Sequence, residues 1–280
     1  MPTSIPLSDG SGELLRYADF ASQFVASRHV DVWLPPGYDT ADPATRYPVL
    51  YLHDGQNLFD PAVANTGIDW GVDEAVVRLM SRQNVPGAVV VAIWNSPQRV
   101  LDYMPAAPLT AAPDHPISQR FVANCGALPL ADGYLRLLVE EIKPLIDATY
   151  RTLPDAPHTF VMGSSMGGLI SLYALCQYPH IFGGAACLST HWPIGEEMLV
   201  DYFGAAVPRA GSHKLYFDYG SVNLDALYPP YQERMDGHLR KAGYKHGRDW
   251  LTHSFPGADH NEAAWRARLD VPLAFLWEAV

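Results

Sequence analysis

The stretch VMGSSMGGLISLY, residues 161–173, sets two serines inside a frame of glycines. Before it, HTFVM has the apolar, β-branched character of a buried strand; after it, LISLYALC reads as a helix. Gly163-Ser164-Ser165-Met166-Gly167 fits G-x-S-x-G with Ser165 at the centre. Where a strand turns sharply into a helix, the central residue of this pattern adopts a strained conformation and presents its hydroxyl. The flanking positions must be small because strand and helix backbones crowd there, which Gly163 and Gly167 satisfy and Gly168 eases. Ser164 falls at a variable position and reads as small filler or a local hydrogen-bonding group.

The rest of the chain repeats this alternation. HVDVWLPPGY, YPVLYLHDG, GAVVVAIWNS, GGAACLS, KLYFDYG and WLTHSFPG are strand-like runs, most of them wholly apolar. IDWGVDEAVVRLMSRQ carries apolar residues at helical spacing, with Asp69 as a cap, and DGYLRLLVEEIKPLIDATY does the same until Pro144, which is expected to kink or break it. A helical segment is expected near 229–242 and another from about Glu262. Fully apolar strands separated by helices predict an α/β fold: a mostly parallel central sheet with helices on both faces. The 280 residues fit a single domain spanning 1–280. Two long irregular segments, 96–131 with six prolines and 189–213, leave strands at the edge where open α/β sheets bind ligands, so 96–131 is expected to form a long loop over the site.

Composition narrows the function. A formal net charge of −11 opposes a nucleic-acid partner, and no apolar stretch approaches a membrane span. The three cysteines, Cys125, Cys176 and Cys187, are too few and too widely spaced for a disulfide framework or a zinc site. The start, MPTSIPLSDGSGELL, lacks the basic and apolar regions of a secretory signal, so the expected location is cytoplasmic, or else a leader has been removed.

A serine hydroxyl needs a base to take its proton. In the chain order Ser, acid, His, the base is a late histidine. His213, His238, His246, His253 and His260 lie beyond the first crossover after the elbow strand; of these, His260 lies after the Gly-containing loop FPGAD at a strand end and before a helix, where it can reach Ser165. The acid is sought after KLYFDYG, with Asp218 and Asp225 as candidates. Asp218 lies within the strand; Asp225, past its end, can swing toward His260 and is preferred, with a helix N-cap ahead of ALYPPYQ as its competing role. An oxyanion needs two backbone donors: the N–H of Met166 after the serine, and that of Gln56 in the HDGQN turn.

YLHDGQNLFD, DGYLRLLVEEIKPLIDATYRT, GSSMGGLISLYAL and FPGADHNEAAW together resemble an esterase family of the α/β-hydrolase superfamily, in or near which stand enterochelin, feruloyl and acetyl-xylan esterases, S-formylglutathione hydrolases (the esterase D-like enzymes) and mycobacterial mycolyltransferases. The likeness runs from about residue 28 to the C-terminus. It implies ester hydrolysis through an acyl-enzyme without cofactor, with Ser165 as nucleophile, His260 as base, Asp225 as acid, and Gln56 and Met166 as the oxyanion hole. It also implies that Asp54 lies near the substrate's alcohol group. Relatives often carry an acidic residue closer to the glycine than SVNLDAL does after Gly220. The pocket is expected near Asp54, Trp70, Trp192 and segment 96–131, with Tyr103 and Phe121 as further lining, and Arg99 is read as an exposed arginine, with holding a carboxylate as the alternative role. The substrate class is a small-molecule or carbohydrate-linked ester, or an aromatic acyl ester. An acyltransferase with the same triad and a binding protein on an inactive scaffold are the alternatives.

Overall fold

The structure is a computed structural model that describes residues 1–7, 11–83 and 87–278. Its strands are β1 (Thr3–Ile5), β2 (Glu13–Phe20), β3 (Arg28–Leu34), β4 (Val49–His53), β5 (Val89–Ile93), β6 (Thr159–Ser164), β7 (Gly184–Leu188), β8 (Lys214–Tyr219) and β9 (Trp250–Ser254). All nine join one sheet in the order β1-β2-β3-β5-β4-β6-β7-β8-β9. From β5 to β9 every neighbour is parallel, while β1, β2 and β3 add an antiparallel flank. The expected α/β-hydrolase architecture is therefore present. The sequence reading leaves out β1 and β2, whose alternation is blurred because most of their side chains stay partly exposed at the sheet edge.

Alternation along the central strands explains the two-sided cover. Val49 and Tyr51 of β4 and Val89, Val91 and Ile93 of β5 enter one core, and Leu50, Leu52, Val90 and Ala92 enter the other. The first core is closed by α5 (Ala131–Arg136), α6 (Lys143–Thr149), α7 (Met166–Gln177) and α8 (Glu196–Ala206); the second by α1 (Val72–Gln83) and α11 (Asp270–Trp277). Each fully buried Val or Leu contributes ~1.5–3 kcal/mol, so both cores hold the sheet between the two helical layers.

Four local expectations need correction. Segment 96–131 is a run of short helices, α2 (Arg99–Tyr103), α3 (Ala106–Ala111) and α4 (Pro116–Cys125), rather than an irregular loop. Three of its six prolines, Pro105, Pro108 and Pro116, stand at the start of a helix, where the missing N–H costs nothing. Segment 189–213 likewise contains α8. Pro144 breaks nothing: the chain stays helical from α5 through a π-helical turn over Leu137–Ile142 into α6, and Pro144 falls in the first turn after it. Asp69 stops short of the helix start; its carboxylate accepts from the Gly71 N–H at 2.9 Å and pairs with Arg266 at 2.7 Å.

The β6–α7 junction decides where the chemistry stands. A Cβ at Gly163 would lie 2.8 Å from the carbonyl carbon of Gly167, a contact two backbones cannot relieve. Gly163→Ala is expected to lower unfolding free energy by ~1–3 kcal/mol, the usual range for overpacking. Urea denaturation followed by circular dichroism checks this; an unchanged midpoint would contradict the crowded junction.

Candidate active site

Ser165 has φ 57° and ψ −120°, a strained conformation for a residue with a side chain. Neighbouring strands hold it there. Its N–H donates to the Leu188 carbonyl at 2.9 Å, and its carbonyl accepts from the His191 N–H at 3.1 Å. Ser165 Oγ lies 2.9 Å from His260 Nε2, and His260 Nδ1 lies 2.6 Å from Asp225 Oδ1. Three side chains from distant parts of the chain thus form one unbroken hydrogen-bonded line.

The carboxylate in that line is Asp225 and not Asp218. Asp225, fully buried in a 3₁₀ turn over Asn223–Leu227, caps no helix. Its second oxygen accepts from Ser189 Oγ and from the Gly220 N–H, both at 2.6 Å. Burial works against its ionisation, but the bonds from His260, Ser189 and Gly220 outweigh it and hold the carboxyl below its usual range. Asp218 is instead gripped by both Nε and Nη2 of Arg268, at 3.1 and 2.8 Å. Arg268 of α10 (Glu262–Arg268) also donates to Ser189 Oγ at 2.8 Å, as does Trp265 Nε1 at 3.0 Å. Trp265 then sets its ring edge-on to His260, centroids 5.1 Å apart. Ser189, Trp265, Arg268 and Tyr228 were absent from the sequence reading; the position of Ser189 one residue past β7, the strand beside the elbow, was the available signal.

On the other flank, β4 runs beside β6, and Asp54 follows β4 with φ 58° in the left-handed region. It leads into a 3₁₀ turn over Gly55–Asn57. Gly55 is required there, because a Cβ would meet the Ala92 backbone at 2.8 Å. Gln56 is buried, and its side chain accepts from the Asn95 N–H at 3.3 Å. Met166 opens α7 directly after Ser165.

Asp54 is 5% exposed and committed: Arg99 grips both oxygens at 2.6 and 2.7 Å, and Asn95 Nδ2 donates at 2.6 Å. Burial opposes its ionisation, yet the Arg99 guanidinium holds its carboxyl low. Arg99 is therefore an ion-paired wall residue and not a free surface arginine. It ties α2 to the end of β4. The structure also gives Trp70 and Trp192 no exposed face with which to line a cleft. Both are packed into the cores at 2% and 1% exposure, Trp70 against Trp265 and Trp192 with its Nε1 donating to Gln232. Tyr103 and Phe121 are buried as well. Large aromatics gain more from burial than from lining an open cleft. Among the described residues, no three or more His, Cys, Asp or Glu side chains are grouped to hold a metal ion, and no helix is long and apolar enough to cross a membrane.

Two imidazoles near the site are kept neutral. Burial is the main cause at both: it takes His53, 1% exposed, down to about 3, and His191, with help from the neighbouring His260, down to about 4. Unfolded, each would titrate near ~6.5.

With this geometry in view, likeness to known proteins carries weight. Residues 22–276 match the family described as "Putative esterase", and the chain belongs to that family. It is 28% identical over 165 residues to ferri-bacillibactin esterase BesA of Bacillus subtilis, covering 55% of this chain and 51% of that protein. It is 29% identical over 151 residues to the apo-salmochelin esterase of Escherichia coli O6:H1, covering 52% and 42%. The chain thus spans about half the length of the curated relatives it matches. Among solved structures, a ferulic acid esterase superposes with a TM-score of 0.67 at 18% identity, covering 95% of this chain and 98% of that one. The enterobactin and salmochelin hydrolase IroE superposes at 0.62 with 20% identity, covering 99% and 95%. These superpositions show the fold.

The depressed imidazoles predict the acid limb of stability. Between about pH 6.5 and 4 the unfolded chain binds protons that folded His53 and His191 refuse, so unfolding free energy falls with pH by ~1.4 kcal/mol per unit for each group across that window. Urea titrations at successive pH values read the slope. Nitrogen NMR should find both rings still neutral at pH 5; protonation of either near pH 6.5 contradicts the burial argument.

Proposed function

We propose that this family member is a serine carboxylic ester hydrolase working through an acyl-enzyme. The observation that carries the reading is the Ser165–His260–Asp225 line, at 2.9 and 2.6 Å, on a strained elbow. Ser165 Oγ attacks the ester carbonyl as His260 Nε2 takes its proton, and Asp225 steadies the imidazolium and fixes its tautomer. The oxyanion is stabilised by the Gln56 and Met166 N–H groups, which the adjacency of β4 and β6 brings to one end of the sheet. The tetrahedral intermediate collapses, His260 protonates the departing alcohol, and water repeats the cycle to release the acid. Asp54, whose oxygens are engaged by Arg99 and Asn95, serves by holding the cleft wall in place.

For substrate we favour small esters with an aromatic acyl group. Named relatives are esterases of ferulic acid and of siderophores, and one structural neighbour, an enterobactin esterase, was solved in the presence of 2,3-di-hydroxy-N-benzoyl-glycine. An ester panel spanning acetyl, feruloyl, dihydroxybenzoyl and long acyl groups ranks the classes.

Ser165→Ala is expected to lower turnover of p-nitrophenyl acetate by at least ~10⁴-fold while the fold survives, and Asp225→Asn by roughly 10³-fold or more. A fluorophosphonate probe should label Ser165 in the wild type alone. Retained turnover in the Ser165→Ala chain, or labelling elsewhere, would reject this assignment.

A further inference from the structure

A second histidine stands at the site and has no part in the steps above. His191 follows β7 by three residues, and its N–H is bonded to Ser165. Its ring centroid lies 6.5 Å from that of His260. Tyr228, 1% exposed, stands between them, its Oη 3.0 Å from His191 Nδ1 and 3.4 Å from His260 Nδ1.

The proton count settles which atom of His191 is a donor. His260 Nε2 accepts from Ser165 Oγ, so Nδ1 bears the proton given to Asp225. Tyr228 therefore finds no lone pair on His260 and gives its hydroxyl proton to His191 Nδ1. The His191 ring is neutral, so its one proton sits on Nε2. That N–H has no partner among the described residues, and it is not among the enclosed side-chain atoms that lack one.

Sheet order indicates the flank it occupies. The Asp54–Gln56 turn lies on the β4 flank of Ser165, whereas His260, Asp225 and His191 come from the β7–β9 flank. His260 delivers its proton to the leaving oxygen, so the alcohol departs on the flank where His191 stands.

The geometry points to His191 as a specificity residue for the alcohol half of the ester: Tyr228 locks its tautomer, and Nε2–H donates to an oxygen carried by the alcohol next to the scissile bond. The inference rests on the hydrolase reading and refines it: the favoured leaving groups are polyhydroxylated or otherwise oxygen-bearing alcohols.

A matched pair tests it, 2-hydroxyethyl benzoate against propyl benzoate, which differ by a hydroxyl in place of a methyl group. The wild type should favour the hydroxylated ester in kcat/KM by about tenfold, the worth of one good hydrogen bond. His191→Phe should collapse that ratio to about one. His191→Gln, whose amide can donate from a similar place, should keep most of it. A wild type that turns over both esters without preference, or a ratio unchanged in His191→Phe, overturns the inference and leaves the hydrolase reading standing. Turnover of neither ester, together with no fluorophosphonate labelling of Ser165, overturns both.

Discussion

The positive φ of Ser165 is the constraint from which the rest of the site follows. A serine held at 57°, −120° pays for its posture with strain that only a tight surround can sustain. That surround is the contact between Gly163 and Gly167, the hydrogen bonds to Leu188 and His191 on the β7 side, and the fully buried strand beneath. Each of these contacts opposes relaxation of the strained backbone. Rigidity here is a condition of reactivity, because the 2.9 Å approach to His260 depends on a fixed direction for one Cα–Cβ bond.

Around this point the structure works as two flanks with different physics. The β7–β9 side is a closed polar network in which Ser189 gives its proton to Asp225 and accepts from Trp265 and Arg268, so an ionised carboxylate lies at zero exposure with its oxygens bonded. Asp218, which looks equivalent along the chain, takes up Arg268 and frees Asp225 for the imidazole. The β4 side is a charge clamp, Asp54 on Arg99, that couples a helical insertion to the turn bearing Gln56. Buried pairs of this kind are costly to break, since removing one partner leaves the other charge unmatched.

The two-sided sheet and the elbow were legible because they rest on patterns local to a few residues: wholly apolar strands, glycines at fixed offsets, a loop glycine before His260. The preference for Asp225 came from its place beyond a strand end, a topological argument. What stayed hidden depended on partners far away. Arg99 read as a surface residue because its carboxylate lies 45 residues upstream. Trp70 and Trp192 read as lining because nothing in the chain distinguishes a ring that faces a cleft from one packed under it. The insertion looked irregular because six prolines signal loops, whereas here several of them open short helices. The outer strands of the antiparallel flank, β1 and β2, were missed because half-exposed strands carry weak alternation.

His260 reaches Ser165 across 95 residues of chain, from the loop after the last strand of the sheet. A ribosome adding roughly 5–20 residues per second leaves Ser165 without its His260 partner for something on the order of 5–20 seconds of synthesis. During that interval the growing chain carries the serine but not the means to activate it. Under the proposed mechanism acylation waits until β9 has docked, so a polypeptide truncated upstream of residue 260 holds the serine without the base assigned to it.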